Sequence, residues 1–277
     1  TGSELVGLIP LEALLMAGTY YLKKQNRSIG VPVNDIIECA IQSLGLNDVA
    51  PFIINEKIID YAVDNGDQKE QTMIDTKFLN ELSTNSPAPG GGSVAALAGS
   101  LGAALSSMVA ALTHEKKEML DSKPLMDKIG VEAQQLKDRL AVLVEEDTQA
   151  FNKVMEANRL PATTDEEKNI KKESLDSANK HAIQIPLETA KKCLRVIELS
   201  EELVTNGNPN SVSDAGVAAE VALAGIRGAC MNVMINLSEI DDTSYCEALQ
   251  NEVDSLIKNG ESIHKKVFEK TVSIIKG

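Results

Sequence analysis

Tryptophan is absent from this 277-residue chain, and aromatic residues make up only 3% of it. With 43% apolar residues the chain still holds enough hydrophobic material for a sizeable core, which must be built from Ala, Val, Ile and Leu. That composition favours closely packed helices over sheets. Positive charge is scarce as well: 27 Lys and Arg face 41 Asp and Glu, for a net charge of −14. So acidic a balance argues against broad binding to nucleic acid or to anionic membranes, both of which need surplus cations, while leaving room for a local basic patch. Cys39, Cys193, Cys230 and Cys246 lie far apart, the three histidines are scattered, and neither CxxC nor a zinc-type Cys/His spacing occurs. No metal or redox cofactor is expected. Reduced thiols in a cytoplasmic protein are the matching expectation. Residues 1–30 lack the basic start and apolar run of a secretory leader. The chain opens on Thr1 and reads as part of a longer or processed one.

Residues 1–62 read as a strand or loop followed by helices. "ELVGLIP" is short, apolar and closed by Pro10; "LEALLMAGTYYLKK" has helical spacing; Pro32 with Asn34 opens a second helix, "NDIIECAIQSLGL". The polar, turn-rich "DNGDQKEQ" marks a linker, taken as 63–75. Beyond it the pattern is helical, with helices expected at about 92–112, 124–157, 164–184, 186–204, 212–237 and 243–275. Pro89, Pro124, Pro161, Pro186 and Pro209 each fall near an expected helix start.

The segment "SPAPGGGSVAALAGSLGAALSSMVAALT" carries no charge at all. A run this long can cross a membrane. Its Ala, Gly and Ser content, its lack of aromatic belts and the acidic surroundings point instead to a helix buried inside a bundle. Ala95, Gly99, Ala103 and Ser107 recur every four residues as a small-residue face that lets two backbones approach closely, within one chain or across a dimer axis. Gly90, Gly91, Gly92 and Ser93 sit where this helix begins. They form either a cradle of free N–H groups for an anionic or carbonyl-like group, or simply a turn and a cap. The motif is neither a Walker nor a dinucleotide loop, since the flanking strand and the Lys are missing.

Two acids stand in unusual places. Asp147 falls in the apolar stripe Leu136, Leu140, Leu143, Ala150, Phe151 and Val154, whereas Glu145 and Glu146 point elsewhere. A carboxylate on a buried face is costly unless paired or protonated, and such groups concentrate at functional sites; the other reading is a structural acid satisfied by a hydroxyl, a lysine or a helix N-terminus. On the helix over 212–237, Asp214, Ala218, Gly225, Asn232 and Asn236 share one face. Asp214 and Asn232 are separated by roughly 27 Å of straight helix, too far to serve one small reacting centre in one subunit. Asp214 also suits the first turn of a helix dipole on its own.

Taken together, "SPAPGGGSVAALAGSLGAALSSMVAALT", "EEDTQAFNKVMEANRLP", "IPLETAKKCL", "GNPNSVSDAGVAA" and "IRGACMNVMINL" resemble, in order, the cyclodeaminase/cyclohydrolase family over about residues 75–277. "TGSELVGLIPLEAL" and "APFIINEKIIDY" resemble the closing part of glutamate formiminotransferase, in the order found in the bifunctional enzyme of histidine breakdown. The resemblance implies a mainly α protein: a small α/β remnant of the formiminotransferase C-terminal subdomain over 1–62, the linker, and an all-α helical bundle over 76–277. It implies conversion of 5-formiminotetrahydrofolate to 5,10-methenyltetrahydrofolate with release of ammonia, and no cofactor beyond the folate substrate. Asp147 would shuttle protons, Gly90 to Ser93 would hold substrate, and Asp214, Asn232 and Asn236 would add polar lining. A polyglutamate tail would call on Lys191, Lys192 and Arg195. The expected partners are the folate and further copies of the chain, a homodimer or higher homo-oligomer, with neither nucleic acid nor membrane. Transferase activity is expected of the parent protein and not of this chain alone. Methenyltetrahydrofolate cyclohydrolase and a non-catalytic helical assembly module are the alternatives.

Overall fold

The computed structural model describes residues 3–27, 29, 31, 33–64 and 76–277, with two compact units, Thr1–Pro87 and Ala88–Gly277. Most of the expected linker, and Pro32, lie outside the described residues.

The first unit contains α1 (Leu11–Lys24), α2 (Val33–Leu44), α3 (Ile54–Lys57), α4 (Ile59–Asp64) and α5 (Lys77–Leu82). Leu14, Ile37, Ala40, Ile41, Leu46 and Ile58 form its core. Pro10 offers α1 no side-chain cap, so the Asp60 carboxylate, 49 residues further on, accepts the Leu11 N–H at 2.7 Å. Among the described residues the β component of this unit is a single parallel bridge between Ile9 and Ile58. Met16 and Tyr20 remain 70% and 59% exposed.

The second unit is a bundle of α6 (Gly91–His114), α7 (Lys123–Asn158), α8 (Asp165–Asn206), α9 (Val212–Leu237) and α10 (Thr243–Lys276). Helices consecutive in the sequence run antiparallel. Ser100 and Ser107 of α6 reach Lys137 and Gln134 of α7; Arg139 and Arg195 link α7 to α8; Arg227 and Gly216 of α9 meet Glu261 and Thr271 of α10. By length and composition α6 and the stretch Pro209–Leu237 could each cross a membrane, yet 56% and 50% of their most apolar windows are buried inside the bundle.

The buried side of α6 is made of small residues, including Ala95, Gly99, Ala103 and Ser107. Close approach of α9 requires this. A Cβ on Gly102 would lie 2.8 Å from the Ala218 carbonyl, and one on Gly225 would lie 3.0 Å from that of Ala95. The Cys193 side chain of α8 fills the space between Gly99 and Gly225. Burial there pushes its thiol up to about 12, so it behaves as a small apolar group.

The sequence suggested a helix break before Pro186. Instead α8 runs unbroken through it from Asp165 to Asn206, opened by a capping box of Thr164 and Glu167. Proline supplies no N–H, so the carbonyl four residues back, that of Ala182, loses its helical partner. The Asn236 amide of α9 donates to that carbonyl at 3.0 Å. A side chain 54 positions away thus repairs the defect. Asn236→Leu should therefore destabilise the bundle by about 1–2 kcal/mol, the cost of an unmade hydrogen bond. In a Pro186→Ala background the new N–H restores the helical bond, so the same change should cost much less; urea denaturation of the four proteins checks this.

Candidate active site

Leu140, Leu143 and Ala150 of α7 are fully or almost fully buried, and Asp147, on the same stripe, turns its half-buried side chain onto the first turn of α6. Gly90 caps that turn in an extended conformation, and the helix proper begins at Gly91. Gly92 is buried against the Asp147 carboxylate: a Cβ there would lie 2.7 Å from Oδ2 and 2.6 Å from Cγ. Only glycine lets this carboxylate come so near the helix end.

Ser93 completes the contact. Its hydroxyl, at 0% exposure, donates to Asp147 Oδ2 at 2.9 Å, with the Val144 carbonyl at 3.1 Å and Thr148 Oγ1 at 3.4 Å. The glycine-rich start of α6 is thus occupied by an anion of the chain's own, where N–H groups and the helix dipole favour negative charge. Burial pushes the Asp147 carboxyl up from its ordinary value, against the opposing pull of the Ser93 hydroxyl and N–H. The result is a carboxyl that both ionises and protonates closer to neutrality than a surface aspartate does.

Asn232 of α9 approaches the same turn; a Cβ on Gly91 would lie 3.4 Å from its amide nitrogen, and that amide also donates to the Gly228 carbonyl at 2.8 Å. The structure therefore brings together Gly91, Gly92, Ser93, Asp147 and Asn232. Asn236 faces α8 instead, on the Ala182 carbonyl. Asp214 occupies the first turn of α9, at the opposite end of that helix from Asn232.

Nothing in the sequence signalled the Val144 carbonyl or Thr148. Nor did it signal a cavity of about 620 Å³ between the end of α7 and the first half of α8, lined by Lys153, Glu156, Glu173, Ser174 and His181 among others. Lys153 lies six positions past Asp147, roughly 9 Å along the helix. Glu146, expected to point to solvent, is bound by Arg139, which also grips Glu188 with two bonds of 2.8 Å. The expected basic patch is not free: Lys191 pairs with Glu252 at 2.7 Å, Lys192 with Glu188 at 3.4 Å, and Arg195 with Glu132 at 2.6 Å and Glu198 at 2.7 Å. Among the described residues no group of three His, Cys, Asp or Glu side chains is placed to hold a metal ion.

A half-buried carboxyl seated on a glycine-started helix within a helical bundle is chemically able to accept and return a proton. The family model for formiminotransferase-cyclodeaminase matches residues 75–255, and that for the formiminotransferase domain matches residues 1–64. This chain belongs to the formiminotransferase-cyclodeaminase family. It is 35% identical over 265 residues to the mouse formimidoyltransferase-cyclodeaminase, covering 94% of this chain and 48% of that protein. It thus spans about half the length of such relatives. It is 36% identical over 192 residues to a methenyltetrahydrofolate cyclohydrolase of Methylorubrum extorquens, covering 69% of this chain and 92% of that protein. A crystal structure of formiminotetrahydrofolate cyclodeaminase from Thermotoga maritima superimposes with a TM-score of 0.61 at 27% identity, covering 74% of this chain and 97% of that one.

Because the native carboxyl of Asp147 is displaced upward, the folded state holds its proton to higher pH than the unfolded chain does. Stability therefore falls as pH rises from the ordinary aspartate value, 3.8, through the native one, and the cost persists above it. Asp147→Asn removes that titration. The melting temperature of the variant relative to the native protein should rise from about pH 4 to about pH 8; a difference constant across that range would contradict the assignment.

Proposed function

We propose that this chain is a formimidoyltetrahydrofolate cyclodeaminase, closing 5-formiminotetrahydrofolate to 5,10-methenyltetrahydrofolate with release of ammonia, a step of histidine degradation that feeds one-carbon metabolism. The observation that carries the reading is the Asp147 carboxyl, half-buried, seated on Gly92 and Ser93, and displaced toward neutrality. The reaction needs one group that accepts and then returns a proton. Attack of N10 on the carbon of the N-protonated formimino group forms the new C–N bond, and ionised Asp147 takes the N10 proton. Protonated Asp147 gives it to the amino group of the resulting aminal. The C–N bond to that group breaks, ammonia leaves, and the methenyl cation remains with Asp147 ionised again. A carboxyl with a raised pKa serves both half-steps better than a surface one. Holding N10 against the carbon supplies much of the remaining acceleration.

The cyclohydrolase reading has its own support, the resemblance of the second unit to a methenyltetrahydrofolate cyclohydrolase over 92% of that protein. The formiminotransferase match at residues 1–64 favours the deaminase, since a transferase would make its substrate. Transferase activity is assigned to the parent protein rather than to this chain. We place the folate tail along the α7–α8 cavity, toward Lys153 and His181, because Lys191, Lys192 and Arg195 are held by acids. The free cysteines support a cytoplasmic setting. The acidic charge supports the absence of nucleic-acid and membrane partners.

A second copy of the chain completes the proposal. Val94, Leu101 and Met108 on α6, and Val217, Ala224 and Met231 on α9, repeat every seven residues on two packed helices and remain exposed, Leu101 at 53% and Met231 at 62%. Such a paired stripe suits a homodimer seam. Leu101→Glu should convert the dimer to monomer in light scattering while leaving helical content unchanged.

Purified protein mixed with 5-formiminotetrahydrofolate should produce methenyl absorbance and free ammonia in step. Asp147→Asn should lower kcat about 10²–10⁴-fold, and Gly92→Ala, which displaces the carboxylate, about a hundredfold without loss of helical content. Methenyl product hydrolysed, with no ammonia from the formimino compound, would turn the assignment to the cyclohydrolase.

A further inference from the structure

Ser93 has one hydroxyl proton and several acceptors. Asp147 Oδ2, the Val144 carbonyl and Thr148 Oγ1 surround its oxygen at 2.9, 3.1 and 3.4 Å, and the residue is fully buried, so water does not share the task. A hydroxyl serves one acceptor at a time. We infer that Ser93 is a positioning residue with two settings: its proton points to Asp147 while that carboxylate is ionised and to the Val144 carbonyl while Asp147 holds a proton.

Each setting gives the Ser93 hydroxyl both a donor and an acceptor. In the ionised state the Thr148 hydroxyl donates to Ser93 Oγ and Ser93 donates to Asp147. In the protonated state Asp147 donates to Ser93 Oγ and Ser93 turns to Val144. The Val144 carbonyl sits inside α7, where the N–H four residues on is its helical donor, so it is not orphaned when Ser93 turns away. Rotation of one C–O bond therefore lets the carboxyl pass between its two forms without moving α6 or α7. That matters for a group that must be base and acid within one turnover, and the inference rests on Asp147 having that role.

Few charges compete. α6 faces Asp147 with glycines and Ser93, and α9 brings Asn232 to the same turn. Arg227 of α9 is held by Glu261. On α7 Glu146 is bound by Arg139, with Glu188 of α8 on the same guanidinium, while Lys153 of α7 and His181 of α8 line the neighbouring cavity. Burial pushes the carboxyl up, and the Ser93 hydroxyl and N–H pull the other way.

Ser93→Ala removes a single oxygen and suits a helix. Two readouts test it. The first is the Asp147 carboxyl followed by carbon-13 NMR across pH in aspartate-labelled protein, with Asp147→Asn giving the assignment. The second is kcat/KM for 5-formiminotetrahydrofolate from about pH 5.5 to about pH 8.5. In Ser93→Ala the carboxyl should titrate at higher pH than in the native protein. The variant should lose roughly tenfold or more in kcat/KM at the acid end, the value of a hydrogen bond to a charge, with the loss shrinking as pH rises. An unchanged titration, or a loss equal at every pH, would overturn the inference. An upward displacement in a protein that does not turn over the folate would keep the Ser93–Asp147 pairing and remove the proposed reaction instead.

Discussion

A carboxylate pressed onto the first turn of a neighbouring helix tolerates very little between the two. Asp147 meets Gly92 at a separation where any side chain at 92 would collide with it. The helix end supplies N–H groups and a partial positive charge, which favour the ionised form. The surrounding Leu140, Leu143 and Ala150 take water away, which disfavours it. Desolvation wins, and the carboxyl is displaced upward from its ordinary value.

Keeping that balance requires α6, α7 and α9 to stay in fixed register. The small residues of α6 do so from one side, since Gly99, Gly102 and Gly225 leave no slack between the backbones and Cys193 fills what remains. Arg139 and Arg195 do so from the other. Arg139 grips Glu146 of α7 and Glu188 of α8 through paired N–H donors, and Arg195 grips Glu132 of α7 in the same way and Glu198 of α8 through one. Half-exposed ion pairs add little stability. Bidentate geometry nonetheless defines which turn of α7 stands against which turn of α8. Asn236 satisfies the carbonyl freed at Pro186, where α8 continues unbroken.

Much of this was legible in the sequence where the signal is local and periodic. The bounds of α9 and, within a residue or two, of α6, α7 and α10 follow from apolar spacing and caps. Asp147 stood out because an acid interrupted a stripe of leucines. What was not legible depends on partners far along the chain. Pro186 looks like a helix start by every local rule, and only Asn236 makes it otherwise. Lys191 and Arg195 look like an anion site until Glu252 and Glu132 arrive from other helices. The glycine turn looked open to an anionic ligand, and its anion turned out to be internal. Both readings offered for Asp147, a satisfied structural acid and a functional one, describe the same geometry: the hydroxyl and helix end that satisfy it are also what tune it.

That last point bears on how one bundle can suit two folate reactions. Ring closure with loss of ammonia and hydrolysis of the methenyl bridge both pass through a tetrahedral carbon between N5 and N10, and both ask a single group to take a proton from the attacking atom and give one to the leaving atom. A carboxyl fixed at the start of α6 meets that demand for either nucleophile. Discrimination must then come from what admits or excludes water and from what holds the formimino nitrogen. Under the proposed function those duties would fall to the residues around the turn, Asn232 and the walls of the α7–α8 cavity, rather than to Asp147. On that proposal, changes there would shift the choice of reaction, whereas changes at Asp147, Gly92 or Ser93 would remove or retune the proton transfer that both reactions share.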